Sequence, residues 1–248
     1  MTGLLEAQQI SVRYGSLAAL DGVDLCIHDG QRHALIGPNG AGKTTLLNVL
    51  GGSTRPQRGT VRFDGRDVGR LGPAARARRG INRIHQRPAV FPTLTATENV
   101  VVAALPRIIP RRRRWWPGGR RRAAQRLAGP LLDQMGLTAV AAVPAGHLAH
   151  GQRRQLEIAM ALAGRPRLLL LDEPAAGLSA VEVGRLVELL QALPRAVAVL
   201  LVEHRLDLVY ALSDTVTVLR DGQTLAAGTP DEIRTSPLVR QAYADGVA

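Results

Sequence analysis

Nine consecutive residues, Gly37-Pro38-Asn39-Gly40-Ala41-Gly42-Lys43-Thr44-Thr45, carry the spacing G-x-x-x-x-G-K-[ST]. Glycines let successive backbone N–H groups turn inward on a phosphate. A helix starting directly afterwards adds the positive end of its dipole. In such a cradle Lys43 would reach the β- and γ-phosphates of a nucleotide, and the Thr44 hydroxyl would hold Mg²⁺. Residues 32–36 read as a short buried strand before the loop, and residues 45–50 as the start of a helix after it, which is the context this chemistry needs. Lys43 is also the only lysine among 32 basic residues, the other 31 being arginine. A compact ammonium fits a phosphate cradle where a broad guanidinium does not.

A second group lies far along the chain. Four leucines, Leu168 to Leu171, lead into Asp172-Glu173. Two carboxylates then stand at the carboxyl end of a buried strand, the edge where open α/β sheets bind ligands. One can hold Mg²⁺ and the other can polarise a water for in-line attack on a γ-phosphate. A pair of solvated acids is the bland alternative, disfavoured beside a phosphate loop. His204 follows the next apolar strand, residues 196–202, where it can contact the γ-phosphate or order the attacking water. Gln86 ends a strand at residues 81–85 and can reach Mg²⁺ or the same water. Tyr14 either stacks on a nucleotide base or is a half-buried strand tyrosine. His28, His33, His85 and His147 read as structural. Leu148-Ala149-His150-Gly151-Gln152 opens a helix about 20 residues before the carboxylate strand. A helix start is another anion site. Because the phosphate loop already supplies one, a second serves a different nucleotide only if two chains face each other.

The elements that must position these groups alternate. Strands are expected at 4–13, 23–27, 59–65, 81–85, 167–171 and 196–202, with a hairpin at Asp221-Gly222. Helices are expected at 73–79 and 95–105, the latter with Thr95 as N-cap and Glu98 three residues on, and at 120–135, where Gly129-Pro130 can bend or break it. Further helices are expected at 179–192 and at the C-terminus. This rhythm means a mainly parallel sheet covered on both faces, with a helical insertion after residue 91. A length of 248 residues suits one large domain, or a domain with a subdomain. Aromatics are only 3%, so Leu, Val, Ala and Ile must build the core. No apolar run approaches the roughly 18–20 residues of a membrane span, and no secretory signal opens the chain. Lone Cys26 in an apolar segment reads as a core thiol of a cytosolic protein, and no Cys–His grouping suggests zinc. Of the net charge of +12, eight units belong to arginines between Arg107 and Arg122, beside Trp115-Trp116. That stretch has three readings: a solvated loop, a contact with lipid headgroups, or a nucleic-acid surface.

In their order, Tyr14, the phosphate loop, Gln86, Leu148 to Gln152, Asp172-Glu173 and His204 resemble the ATP-binding subunit of an ABC transporter, over nearly the whole chain. The resemblance implies an α/β fold with a P-loop NTPase (RecA-like) core, an N-terminal antiparallel β-subdomain and a helical subdomain. The core would comprise residues 1–90 and 165–248, and the helical subdomain residues 91–164. It also implies ATP and Mg²⁺ as cofactors, with Tyr14 on adenine and residues 37–45 on the phosphates. Thr44, Gln86 and Asp172 would lie at the metal, Glu173 would be the catalytic base, and His204 would contact the γ-phosphate. Leu148, Ala149, His150, Gly151 and Gln152 would bind the ATP of an opposed subunit, whether a second copy or a paralogue. Separate transmembrane permeases, an extracytoplasmic solute-binding protein and a peripheral place on the cytoplasmic membrane face belong to the same picture.

Three positions depart from the family pattern. Ala149-His150 replaces Ser-Gly of the usual Leu-Ser-Gly-Gly-Gln, and Ser179 stands where an aspartate is usual. The Leu148–Gln152 form, Asp172-Glu173-Pro174-Ala175-Ala176-Gly177-Leu178, Leu201-Val202-Glu203-His204 and Gly228-Thr229-Pro230-Asp231-Glu232-Ile233 resemble the ATPases of branched-chain amino acid importers, a branch shared with urea and amide importers. The competing reading is a soluble ABC-type ATPase acting on nucleic acid or a protein assembly; such proteins often carry two nucleotide domains or a dedicated binding insertion, and this chain has one domain and only the arginine-rich stretch as a candidate insertion. An ordinary P-loop kinase or GTPase leaves Leu148–Gln152 and His204 unexplained.

Overall fold

In β1 (Leu5–Tyr14), Leu5 and Ala7 turn inward while Gln8 and Gln9 turn out, which makes a half-buried strand. A turn at Gly15 folds β2 (Leu17–Ile27) back onto it, so β2 begins well before the residues 23–27 expected from the sequence. The computed structural model describes residues 3–86, 89–108 and 118–244; side chains are not described for residues 107, 108, 118–123 and 244. The expectations placed on Arg111 to Arg114 and Trp115-Trp116 lie outside the described residues.

After β3 (Arg32–Ile36) and α1 (Lys43–Gly51) come β4 (Arg58–Phe63), β5 (Arg66–Asp67), α2 (Pro73–Arg79) and β6 (Ile81–Ile84). Three helices follow, α3 (Ala96–Ile108), α4 (Gly118–Gln134) and α5 (His150–Ala163), the last two separated by two 3-10 turns. The chain then alternates through β7 (Leu168–Asp172), α6 (Ala180–Gln191), β8 (Ala198–Val202) and α7 (Leu206–Leu212). It ends with the hairpin β9 (Thr215–Arg220) and β10 (Gln223–Gly228), then α8 (Pro230–Thr235) and α9 (Pro237–Ala244). Among the described residues, two sheets form. An antiparallel one has the order β2-β1-β4-β5, and a larger one the order β10-β9-β3-β8-β7-β6. In the larger sheet all pairings are parallel except that of the edge strand β10. β3, β7 and β8 are buried at every residue, as strands covered on both faces must be.

Two expectations need correction. Cys26 is exposed rather than core: β2 alternates, with Val23, Leu25 and Ile27 inward and Asp24 and Cys26 outward. Pro130 does not break α4. It lies on the solvent face, while Ala124, Ala128 and Leu132 hold the opposite face in the core. The Thr95 cap is present, its hydroxyl accepting the Glu98 N–H at 3.2 Å.

Two buried polar groups fix the elements around the phosphate loop. Arg76, in the basic helix α2, is fully buried and donates to Val49 O at 2.6 Å, Leu50 O at 2.5 Å, Val68 O at 2.9 Å and Leu71 O at 3.0 Å. It thus satisfies carbonyls at the C-terminus of α1, which a helix end otherwise leaves free. Burial pushes its pKa down to about 10. His33, in β3, bonds the Thr217 hydroxyl at 2.8 Å. Burial, with a smaller contribution from His28, lowers its pKa from 6.5 to about 4.

The His33 shift carries a signed consequence. Its folded pKa lies below the unfolded one, so the stabilisation is complete above the unfolded value of 6.5 and is lost as pH falls towards about 4. Between about pH 7 and pH 5 this removes roughly 2 kcal/mol. His33→Asn eliminates the titration. Its melting temperature should therefore fall several degrees less than wild type over that pH interval, measured by thermal denaturation.

Candidate functional site

Four neighbouring strands, β3, β8, β7 and β6, run parallel and end at one edge. Beyond β3 comes the phosphate loop, beyond β8 Glu203-His204, at the end of β7 Asp172-Glu173, and beyond β6 His85-Gln86. Residues separated by more than a hundred positions in sequence are thereby delivered to one place. A cavity of about 450 Å³ opens there, lined by Tyr14, Asn39, Lys43, Thr44, Glu173 and His204 among others. Gly40, Ala41, Gly42 and Thr45 complete its floor, and Gly37 and Pro38 supply carbonyls to Lys43. Tyr14, the last residue of β1, is 52% exposed and lines the cavity.

The loop is locked from outside. Gly42 has φ 98° and caps α1; a Cβ there would lie 2.5 Å from Ala19 O in β2, so only glycine fits. The β9–β10 hairpin pins the loop through Gly222 N–H to Ala41 O at 3.2 Å. Lys43 is only 6% exposed. Its ammonium donates to Gly37 O at 2.7 Å and Pro38 O at 2.8 Å, and among the described residues no carboxylate is in direct contact with it. Burial lowers its pKa, while Glu173 and Asp172 act through space to raise it. No acid occupies the first turn of α1, and Glu173, the carboxylate in the cavity lining with Lys43, acts on the ammonium only through space.

Glu173 gathers two other residues expected at the site. Its Oε1 lies 2.6 Å from His204 Nε2, and its Oε2 accepts from Gln86 Nε2 at 2.8 Å. Glu173 has φ 46°, uncommon for a residue with a side chain, and its N–H donates to Val202 O at 2.9 Å. That left-handed turn directly after β7 sends the chain away from the strand direction at this carboxylate. Asp172 points elsewhere: its Oδ2 is ion-paired to Arg83 at 2.7 Å, and the same guanidinium donates to Asn48 Oδ1 on α1 at 2.6 Å.

Two contributors were not anticipated from the sequence. Arg83 sits in β6 opposite Leu170 of β7, and the readable signal was a cation inside a strand that opens and closes on isoleucine. Glu203 is 3% exposed and accepts the N–H groups of Ala175 at 2.9 Å and His204 at 3.2 Å. It therefore clamps the loop after Glu173 and the turn carrying His204 together. Burial raises its pKa, against the lowering effect of those N–H bonds. The Thr44 hydroxyl, the Gln86 amide oxygen and the uncommitted Asp172 oxygen are hard oxygen donors, a set suited to Mg²⁺ beside nucleotide phosphates.

Leu148, Ala149, His150, Gly151 and Gln152 are not brought to this cavity. Leu148 is buried, Ala149 is the N-cap of α5, Gln152 Oε1 accepts the Ala149 N–H at 3.0 Å, and His150 Nε2 lies 3.4 Å from Ala176 O. One chain thus carries a phosphate cradle with an acid–histidine pair, and a helix N-terminus on a separate part of its surface.

The profile of the ABC transporter family matches residues 20–176. The chain belongs to the ABC transporter ATPase family. It is 40% identical over 247 residues, 97% of each chain, to the "High-affinity branched-chain amino acid transport ATP-binding protein BraF" of Pseudomonas aeruginosa. It is 37% identical over 249 residues, again 97% of each chain, to the LivG protein of the same description from Escherichia coli K12. A crystallised ATP-binding cassette of an ABC transporter in its ADP conformation superposes with TM-score 0.86 at 28% identity, covering 98% of this chain and 99% of that one. This ABC ATPase binds and hydrolyses ATP as the ATP-binding subunit of a transporter. No described helix is long and apolar enough to cross a membrane.

Arg83→Leu would leave Asp172 buried and unpaired. The expected loss of unfolding free energy is about 3 kcal/mol, read by chemical denaturation. Adding Asp172→Asn should restore most of that stability while hydrolysis stays impaired. An Arg83→Leu variant as stable as wild type would show that the ion pair does not hold this acid.

Proposed function

We propose that this ABC ATPase powers import of branched-chain amino acids through separate transmembrane permeases, on the cytoplasmic face of the membrane. The observation that carries the hydrolytic part is the convergence of Gln86 and His204 on the two oxygens of Glu173, at the rim of the cavity that holds Lys43. The choice of solute is supported by the BraF and LivG relatives, both matched over nearly their whole length. An extracytoplasmic binding protein would deliver the solute. The soluble alternative acting on nucleic acid or a protein assembly is not favoured, since relatives matched end to end are named for transport.

In this reading Tyr14 stacks on adenine and the 37–45 loop folds its N–H groups around the phosphates. Lys43 exchanges the Gly37 and Pro38 carbonyls for β- and γ-phosphate oxygens, which supply the counter-charge it lacks. Thr44, Asp172 and Gln86 would hold Mg²⁺, which when bound offsets charge on the phosphate oxygens. Glu173 accepts the proton of the attacking water, with His204 fixing its orientation and then touching the γ-phosphate. The Leu148–Gln152 surface serves the ATP of an opposed cassette, so two chains close head to tail around two nucleotides. Residues 91–164 form the helical subdomain presenting that surface, and residues 1–90 with 165–248 form the core.

Glu173→Gln keeps the size of the side chain and removes the base. ATP affinity should stay within about twofold, while turnover falls by about a hundredfold or more. An ATP-dependent dimer should accumulate on size-exclusion chromatography. Near-normal hydrolysis in this variant removes Glu173 from the role of base.

A further inference from the structure

The start of α5 lacks the usual side-chain acceptor, because its N-cap is Ala149. The missing acceptor comes from another helix. Glu182 Oε1 accepts the Gly151 N–H at 3.2 Å, while its Oε2 accepts the Ser179 N–H at 2.8 Å and the Ser179 hydroxyl at 2.7 Å. One carboxylate is thus shared between the N-termini of α5 and α6, each the positive end of a helix dipole. Gly151 makes this approach possible, since a Cβ there would overlap Glu182 Oε1. The Ser179 N–H, then its hydroxyl, hold the Glu182 carboxyl below its ordinary pKa, so it stays anionic at neutral pH. A cavity of about 150 Å³ adjoins it, lined by Ala149, Gln152, Arg154 and Arg185 as well as Glu182. Arg154 is 1% exposed, and its Nε has no hydrogen-bond partner among the described residues. The place has space, arginine and a free helix start, yet one amide that an anion would want is already occupied.

We propose that Glu182 is a positioning residue that stands in for the opposed subunit's nucleotide phosphate on the α5 N-terminus and must release the Gly151 N–H when that phosphate arrives. Two anions within hydrogen-bonding distance of one amide repel each other, so only one of them holds it. Glu182 is bound to Ser179, and His150 to Ala176, and both partners lie in the stretch that begins at Glu173. Exchange of carboxylate for phosphate at Gly151 therefore loosens that stretch and reports occupancy of one nucleotide site to the acid of the other. The inference rests on the two-cassette reading above and adds to it a named device within a single chain.

The test uses the Glu173→Gln protein, in which closure is measured without turnover, and compares it with Glu173→Gln/Glu182→Gln and Glu173→Gln/Ser179→Ala. Dimer formation is followed by light scattering across an ATP titration. Glu182→Gln keeps the side-chain length and removes the charge, and its single amide oxygen can serve Ser179 or Gly151 but not both. The expected half-maximal ATP concentration falls about threefold or more. Ser179→Ala weakens the α6 cap but leaves the Glu182 charge beside the Gly151 amide, and should lower that concentration by less than Glu182→Gln does. Unchanged or weaker closure in the Glu182→Gln protein, with its melting temperature retained, overturns the placeholder role. An equal gain from Ser179→Ala overturns it too, since simple loosening of α6 then suffices. Absence of any ATP-dependent dimer in the Glu173→Gln protein overturns instead the two-cassette reading beneath it.

Discussion

A buried ammonium with no anion in contact is the constraint around which this protein is arranged. Lys43 has given up most of its water and received two carbonyls, with Glu173 and Asp172 acting only through space. Carbonyl dipoles offset part of the desolvation of a cation, but a charge is compensated fully only by a charge. The loop tolerates the deficit because it cannot relax: Gly42 is wedged under β2, the β9–β10 hairpin holds Ala41, and Arg76 ties down the far end of α1. On the proposed reading a nucleotide phosphate removes that deficit. The structure is therefore preorganised for its ligand at the expense of its own electrostatics, as binding sites commonly are.

The two acids at the end of β7 are held by different partners. Asp172 is committed to Arg83 through Oδ2. Glu173, one residue on, takes a strained left-handed backbone and is fixed by Gln86 and His204 instead. Two adjacent carboxylates thus acquire different surroundings, and different surroundings give like groups different chemistry. The strain at Glu173 is sustained by Glu203, whose buried carboxylate holds the next loop by its amides.

Much of this was legible from the sequence, and the rest fails for one physical reason. β3 falls on residues 32–36 and α2 on residues 73–79, where they were expected, because the signals are local: an apolar run before glycines, a proline opening and a glycine closing a helix. The phosphate loop, the two acids, Gln86 and His204 announce themselves by type and place at strand ends. Arg83, Arg76, Glu203 and Glu182 do not. Each is a charged residue whose partner lies on another element, so its role exists only once the sheet order and the helix packing are set. Cys26 and Pro130 were misjudged for a related reason, since composition does not tell which face of a strand or helix meets solvent.

Two of the departures from the family pattern, those at Ala149 and Ser179, are one feature seen from two ends. Ala149 deprives α5 of a hydroxyl at its N-terminus; Ser179 gives α6 a hydroxyl that caps it and steadies Glu182 through a reciprocal capping box. The carboxylate so steadied supplies α5 with the acceptor it lacks. An aspartate at position 179 would set a second negative charge beside Glu182, where like charges repel, and the shared cap would weaken. Substitutions that look like damage to a motif when read singly thus preserve, as a pair, an anion at the helix start. What changes is its owner: here the anion at the helix start is a side chain of this chain, Glu182.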